Sequence, residues 1–229
     1  MKLSSPHATL GHMVDFSQLI GGLKQSGDAQ QNWAASKLAS EPLTAVLIAE
    51  ALETKGICDL PARTMGGSHS VVVELPERHQ VLRVVDVTME HPPSASPLIL
   101  QPAMDLGEIN GFRVQLFPKV TRLSEALAEG TIRKKEALSQ IMSMVEQFAE
   151  QGLFFWDVTI PNLCVVDGQV KLLDPGSVCP IAERYQGQQG NDMHSNEDKF
   201  NANIAYLCKE LGEWTQAIEK RTSTVSKLL

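Results

Sequence analysis

The sequence predicts an α+β chain in two parts, on three observations. Its first half holds valine-rich runs of strand length separated by turn residues. Its second half holds two stretches of helical periodicity, and between these lies one short hairpin pattern. Strands and helices are told apart by where apolar side chains recur: every second residue for a half-buried strand, every third or fourth for a helix face.

Residues 1–31 break short apolar pieces with Ser4, Ser5, Gly11, Gly21, Gly22 and Gly27, so no element is assigned there, and residues 1–40 are expected to be a leader, flexible or carrying a secretion signal. The next pattern is a helix over Pro42–Thr54. Pro42 suits the first turn, where its missing N–H is one that no intrahelical bond would use, and Gly56 sits where a left-handed cap belongs. This helix is apolar on more than one face, which predicts burial. Ser70–Leu75 and 80–88 then read as strands joined across Pro76, Glu77, Arg78 and His79. After a proline-rich stretch at 91–97, strand candidates follow at 98–109 and 112–120, with Asn110-Gly111 as a hairpin turn between them. The first domain is therefore expected over 41–120, an antiparallel sheet behind a helix, and the second over 121–229.

In the second part Leu138, Ile141, Met142, Val145, Phe148 and Ala149 recur at helical spacing and Gly152 closes the run, giving a helix over about 133–151. Phe200, Ile204, Leu207, Cys208 and Leu211 form a second stripe, and Ser195 with Asp198 offers a capping pair at its start.

Composition removes several function classes. With 20 basic against 27 acidic residues the net charge is −7, which leaves no excess cation to displace the counterions of a nucleic acid. Cys58, Cys164, Cys179 and Cys208 stand apart without a Cys-x-x-Cys pair, against a disulfide framework or zinc site, and Cys164 and Cys208 lie in apolar runs that read as core. No apolar run reaches the roughly 18 residues that a bilayer span needs.

The chemistry concentrates between the two helices. Residues 163–173 read Leu-Cys-Val-Val-Asp-Gly-Gln-Val-Lys-Leu-Leu, two short strands joined by Asp167-Gly168, a pair that favours a type I′ turn. That turn dictates the register: Val166 faces Gln169, Leu163 faces Leu172, and Asn162 lies opposite Leu173. Asn162 and Asp174 then leave the open end of the hairpin together, and Asp157, across a turn containing Pro161, can fold back over the same end. An amide oxygen and carboxylates converging at one strand terminus make a hard-oxygen site of the kind magnesium takes when it also binds phosphates. Phosphoryl transfer asks a protein chiefly for positioning and charge neutralisation, and a carboxylate without metal duty, here Asp157, can orient a hydroxyl and accept its proton. Singly, each residue has a plain structural reading: a turn or cap for Asp157, a strand start for Asn162, an ordinary turn for Asp174-Pro175-Gly176. Their joint spacing around one hairpin favours the chemical one.

The run Asp157-Val-Thr-Ile-Pro-Asn162, followed by a strand pair and Asp174-Pro175-Gly176, resembles the protein-kinase superfamily. Its catalytic loop carries an aspartate and an asparagine five positions later, then a strand pair and an Asp-Phe-Gly motif. The resemblance implies a two-lobed kinase-like fold, with a small antiparallel-sheet lobe and a truncated helical lobe. It further implies ATP and Mg2+ as cofactors, Asp157 as catalytic base, and Asn162 and Asp174 as metal ligands. It extends more weakly over 57–213. Gly66, Gly67 and Ser68 occupy the place of the glycine-rich loop, Arg83 stands where a phosphate-binding lysine is expected, and Phe117 opens the hinge that would hold adenine.

The departures carry information too. Phe155 and Trp156 replace the usual pair before the catalytic aspartate and read as core or substrate wall, and Ser70 replaces the third glycine. Arg83 keeps the charge of lysine but is planar and forked. Prolines after residue 91 leave no room for a long helix with a glutamate partner, so Glu90 is the remaining candidate; His69 is expected to be exposed and His194 to lead into a helix. Only about 20 residues separate Gly176 from Asn196, too few for a full activation segment, and the chain ends soon after the next helix. This brevity resembles the minimal kinase-like effectors that bacteria inject into host cells through a type III secretion system. That resemblance implies a protein substrate in the host, attacked at serine or threonine by default, and an activating host partner. The chain would be cytoplasmic in the producing cell or secreted into the host cytoplasm. Two other readings stay open: a pseudokinase or binding module that captures a host protein, and a small-molecule phosphotransferase of the aminoglycoside or choline type.

Overall fold

The structure is a computed structural model and describes residues 33–57, 63–66, 70–89, 96–183 and 195–212. The chain is α+β and divides into two compact units, one of Met1–Glu90 with Pro102–Lys119, the other of His91–Gln101 with Val120–Leu229.

The first unit is built on a five-stranded antiparallel sheet of β1 (Arg63–Gly66), β2 (Ser70–Leu75), β3 (Gln80–Asp86), β4 (Met104–Ile109) and β5 (Phe112–Pro118), in the order β1-β2-β3-β5-β4. Alternation sorts its faces. Val71, Val73, Leu82, Val84, Val114 and Leu116 turn to one side and pack against two helices, α1 (Trp33–Ser40) and α2 (Pro42–Thr54). Each such side chain, fully buried, is worth about 1.5–3 kcal/mol, and this face is what holds the unit together. Asn110 and Gly111 both adopt left-handed backbone (φ 48 and 80), the type I′ turn that their sequence predicts.

Four expectations change here. Residues 33–40, expected within the leader, form α1, whose Ala34, Ala35 and Leu38 are buried; residues 1–32 lie outside the described residues. Helix α2 starts at Pro42 as expected, but it lies on the sheet through one face only, with Leu43 67% and Val46 42% exposed. Strand β3 stops at Asp86 rather than running to residue 88. The Asp86 carboxylate accepts bonds from the Thr88 amide (3.0 Å) and hydroxyl (2.8 Å), closing a local turn that competes with the ladder. Finally, the strand expected from residue 98 begins at Met104. Pro102 has no amide to donate, and residues 98–101 instead join the second unit, where Leu172 donates to the Leu98 carbonyl (2.9 Å) and Leu100 to the Leu172 carbonyl (2.8 Å).

The second unit contains β6 (Thr121–Arg122), α3 (Leu123–Glu129), α4 (Lys134–Glu150), β7 (Leu153–Phe155), β8 (Leu163–Val166), β9 (Gln169–Leu172), β10 (Val178–Pro180) and α5 (Asn196–Leu211). The α4 stripe read from the sequence is the buried one, and Gly152 (φ 74) follows its end. The α5 stripe is likewise buried, and Ser195 and Asp198 close a reciprocal capping box at its start. Phe148 meets Phe155 edge-on at 5.7 Å between centroids, and Phe154 meets Phe200 at 5.3 Å, so both helices are keyed to strand β7. Strands β8 and β9 pair with Leu163 opposite Leu172 and Val166 opposite Gln169, as the Asp167-Gly168 turn requires. Gln140 of α4 secures that hairpin with both ends of its amide, donating to the Gly168 carbonyl (3.0 Å) and accepting from the Val170 amide (2.7 Å). Among the described residues no helix is long and apolar enough to cross a membrane.

Candidate active site

The loop between β7 and β8 shapes the site in the second unit. Phe154 and Phe155 are buried, which anchors the strand, and the chain then leaves the core with Trp156 and Asp157 half-buried. Pro161 lies in a 3-10 turn over Ile160–Asn162 that brings Asn162 back toward Asp157. The Asn162 amide nitrogen donates three ways: to the Asp157 carboxylate at 2.8 Å, to the Asp157 main-chain carbonyl at 3.0 Å, and to the Ser177 hydroxyl at 3.1 Å. This is the fold-back that the spacing of the two residues predicts. Because the amide nitrogen is turned inward, the amide oxygen of Asn162 is directed away from Asp157.

Two residues that sequence reasoning missed complete the cradle. Ser177, 1% exposed, accepts main-chain bonds from Trp156 (3.0 Å) and Asp157 (3.4 Å) through its carbonyl. Asn203 of α5 donates to the other Asp157 carboxylate oxygen at 3.2 Å and to the Trp156 carbonyl at 3.4 Å. The Lys199 ammonium, one helical turn before Asn203, sits 5.5 Å from the centre of the Trp156 ring. Trp156 thus packs partly against the core and partly under a cation, as a wall rather than an interior residue.

Asp174 follows β9, and the main chain joins the two strand ends there, Leu173 donating to the Asn162 carbonyl at 2.8 Å. Its side chain is exposed, with one carboxylate oxygen accepting from the Gly176 amide at 3.0 Å, so that it caps the 3-10 turn Pro175–Ser177. Among the described residues no group of three or more His, Cys, Asp and Glu side chains gathers as a metal site. The oxygen donors at this end of the hairpin are the Asn162 amide oxygen and the exposed Asp174 carboxylate, the chemical type that could hold a magnesium ion.

The remaining candidates belong to the first unit. Gly66 ends β1, paired with Val71, while Gly67, Ser68 and His69 lie outside the described residues, as do Glu90 and His194. Arg83 is half-exposed on the sheet face opposite the core, in register between Val72 of β2 and Gln115 of β5. Phe117 shares that face two residues beyond Gln115, in register with Val81. Gln115 is only 3% exposed and donates to Asp105 at 3.1 Å, and Arg113 also reaches Asp105 at 3.2 Å. Register thus sets Arg83, Gln115 and Asp105 in one row across three strands. Burial works to raise the Asp105 pKa, but bonds from the Gly107 amide, Gln115 and Arg113 outweigh it and hold this carboxyl below its ordinary value.

The chain is similar to the kinase domain of PknI from Mycobacterium tuberculosis, at 17% sequence identity and a TM-score of 0.39 over 66% of this chain and 73% of that one. No protein-family profile matches the chain, and neither does any curated protein.

Proposed function

We propose that this chain is a protein-kinase-like phosphotransferase that moves the terminal phosphoryl group of ATP, with Mg2+, onto a serine or threonine hydroxyl of a protein. The observation that carries this reading is the double grip of Asn162 on Asp157, at its carboxylate and at its carbonyl. Here the fixed group is bound to Asn162, which leaves the same end of the hairpin as Asp174.

In this reading Asp157 orients the acceptor hydroxyl and takes its proton as the hydroxyl oxygen bonds to phosphorus and the bond to the ADP oxygen breaks. Asn162 and Asp174 would hold Mg2+, which when bound neutralises phosphate charge. The nucleotide side is assigned to Arg83, Gly66, Gly67, Ser68 and Phe117 on the resemblance alone. The same resemblance supplies the wider setting, an effector delivered into a host cell and acting on a host protein there.

The test is to incubate the purified chain with magnesium and γ-labelled ATP in a eukaryotic cell extract, beside an Asp174→Ala variant. Labelled protein bands that vanish in the variant are the expected result. An extract left unlabelled would replace this reading with a binding module that captures a host protein. Label on a small molecule instead of protein would make the chain a small-molecule phosphotransferase.

A further inference from the structure

The proposed reaction depends on the direction in which Asp157 presents its carboxylate. The terminal torsion of an aspartate is broad and roughly two-fold, so an exposed carboxylate sweeps through many orientations unless its oxygens are held. Here both oxygens are held by amides from different elements. Asn162, in the loop itself, donates to one at 2.8 Å, and Asn203 of α5 donates to the other at 3.2 Å.

Asn203 is well placed to act as a fixed post. It is half-buried beside Ile204, and the stripe formed by Phe200, Ile204, Leu207 and Leu211 sinks α5 into the core. Phe200 packs on Phe154, three residues before Asp157, so the same helix that carries Asn203 also anchors the strand leading to the carboxylate. The Asn203 amide nitrogen reaches the Trp156 carbonyl at 3.4 Å as well, which ties the main chain immediately before Asp157 to the same point. An asparagine inside a helix is a poor helix former, and at this position its amide is spent on Asp157 rather than on its own backbone.

We infer that Asn203 is a positioning residue for Asp157: it fixes the plane of the carboxylate, so that the remaining lone pairs of Asp157 face an acceptor hydroxyl in one direction. This rests on the phosphotransferase reading above. Removing the bond leaves nucleotide binding intact and slows transfer, because the group that Asn203 orients acts in the transfer step.

The experiment uses the full chain, Asn203→Ala and Asn203→Asp, with magnesium-ATP and dephosphorylated casein as a serine-rich acceptor. Alanine suits a half-exposed helical site, and aspartate matches asparagine in shape while turning the donor into a second acceptor. In both, kcat is expected to fall about 10- to 100-fold, the loss of one hydrogen bond to a charged group, while KM for ATP stays within about twofold. A wild-type level of kcat in Asn203→Asp overturns the inference. A second readout needs no catalysis: the side-chain amide N–H resonances of Asn203, identified by their loss in Asn203→Ala, are expected to move in Asp157→Ala. Resonances that stay in place overturn the positioning role. A wild-type chain that labels nothing in the eukaryotic extract sinks the phosphotransferase reading, and the amide resonances then still decide whether Asn203 holds Asp157.

Discussion

Lys37 of α1 and Asp86 at the end of β3 form an ion pair at 2.8 Å in which the carboxylate is 1% exposed and the lysine 28%. The pair joins a helix and a strand 49 residues apart, and the Trp33 indole donates to the same carboxylate oxygen at 3.2 Å. Burial acts to raise the Asp86 pKa. The Lys37 ammonium, the Thr88 amide and hydroxyl and the Trp33 indole together overcome it and bring the group from an ordinary 3.8 down to about 2.

The sign of the pH dependence follows. A depressed folded-state pKa contributes stability that is present above the unfolded value of 3.8 and is lost as pH falls through about 2. A shift of this size corresponds to roughly 2 kcal/mol. Lys37→Met leaves a buried carboxylate short of its counter-charge, and should cost on the order of 3 kcal/mol at pH 7, the low end for breaking a buried pair because the lysine is partly exposed. Urea unfolding of both chains between pH 7 and 2 should show the gap narrowing below about pH 4. A gap that is constant with pH would sink the assignment.

Asn162→Asp tests the cradle without changing its shape. The substitution replaces a donor shared by three acceptors with an oxygen that repels the Asp157 carboxylate and carbonyl. We expect a loss of about 2 kcal/mol in urea unfolding, and loss of phosphotransfer along with it. Asn162→Ala should cost less stability than Asn162→Asp, since it removes the bonds without adding repulsion. The opposite ranking would mean that the amide is not oriented as described.

Gln140 gives a structural control away from the carboxylates. Its amide clamps the Asp167-Gly168 hairpin through a donor and an acceptor. Gln140→Glu keeps the acceptor for the Val170 amide and loses the donor to the Gly168 carbonyl, so about 1 kcal/mol of stability should go. Amide hydrogen exchange at Val170 should stay near wild type in Gln140→Glu and rise in Gln140→Ala. Equal exchange in the two variants would show that the clamp does not hold the hairpin.

The parts of this fold that were legible in the sequence are those fixed by local chemistry. Asp167-Gly168 sets the register of the 163–172 hairpin through its left-handed turn, and the Ser195–Asp198 box starts α5 where its apolar stripe begins. Less was legible where the signal is small or distant. Helix α1 buries two alanines and one leucine, too little apolar contrast to mark a period, and α3 is seven residues long with two buried side chains. Asn203 lies 46 positions from Asp157 and carries no spacing motif. Its one trace in the sequence is a polar residue beside the buried stripe of α5. The row of Arg83, Gln115 and Asp105 depends on the pairing of β3, β5 and β4, and β4 carries a register shift between Asp105 and Gly107 that no turn signal announces.

The buried cysteines give a last prediction, one that separates core from chemistry. Cys164, Cys179 and Cys208 are 0%, 4% and 2% exposed, and all three are free thiols. Burial pushes Cys164 and Cys179 up to about 11, for Cys164 against the opposing pull of Lys171 and for Cys179 with added repulsion from Glu183. Cys208 is raised by burial alone. Thiolate is the reactive form, so each is expected to be inert near neutral pH by both access and ionisation. In a Cys58→Ser chain, a thiol-specific colorimetric reagent at pH 8 should find no fast-reacting group in the native protein and all three in urea. The native rate should follow the unfolding free energy, so that Lys37→Met, whose destabilisation lies in the other unit, accelerates it only if the two units unfold together. One fast native thiol would show that the packing around it opens locally, and its identity by peptide mapping would name the element that moves.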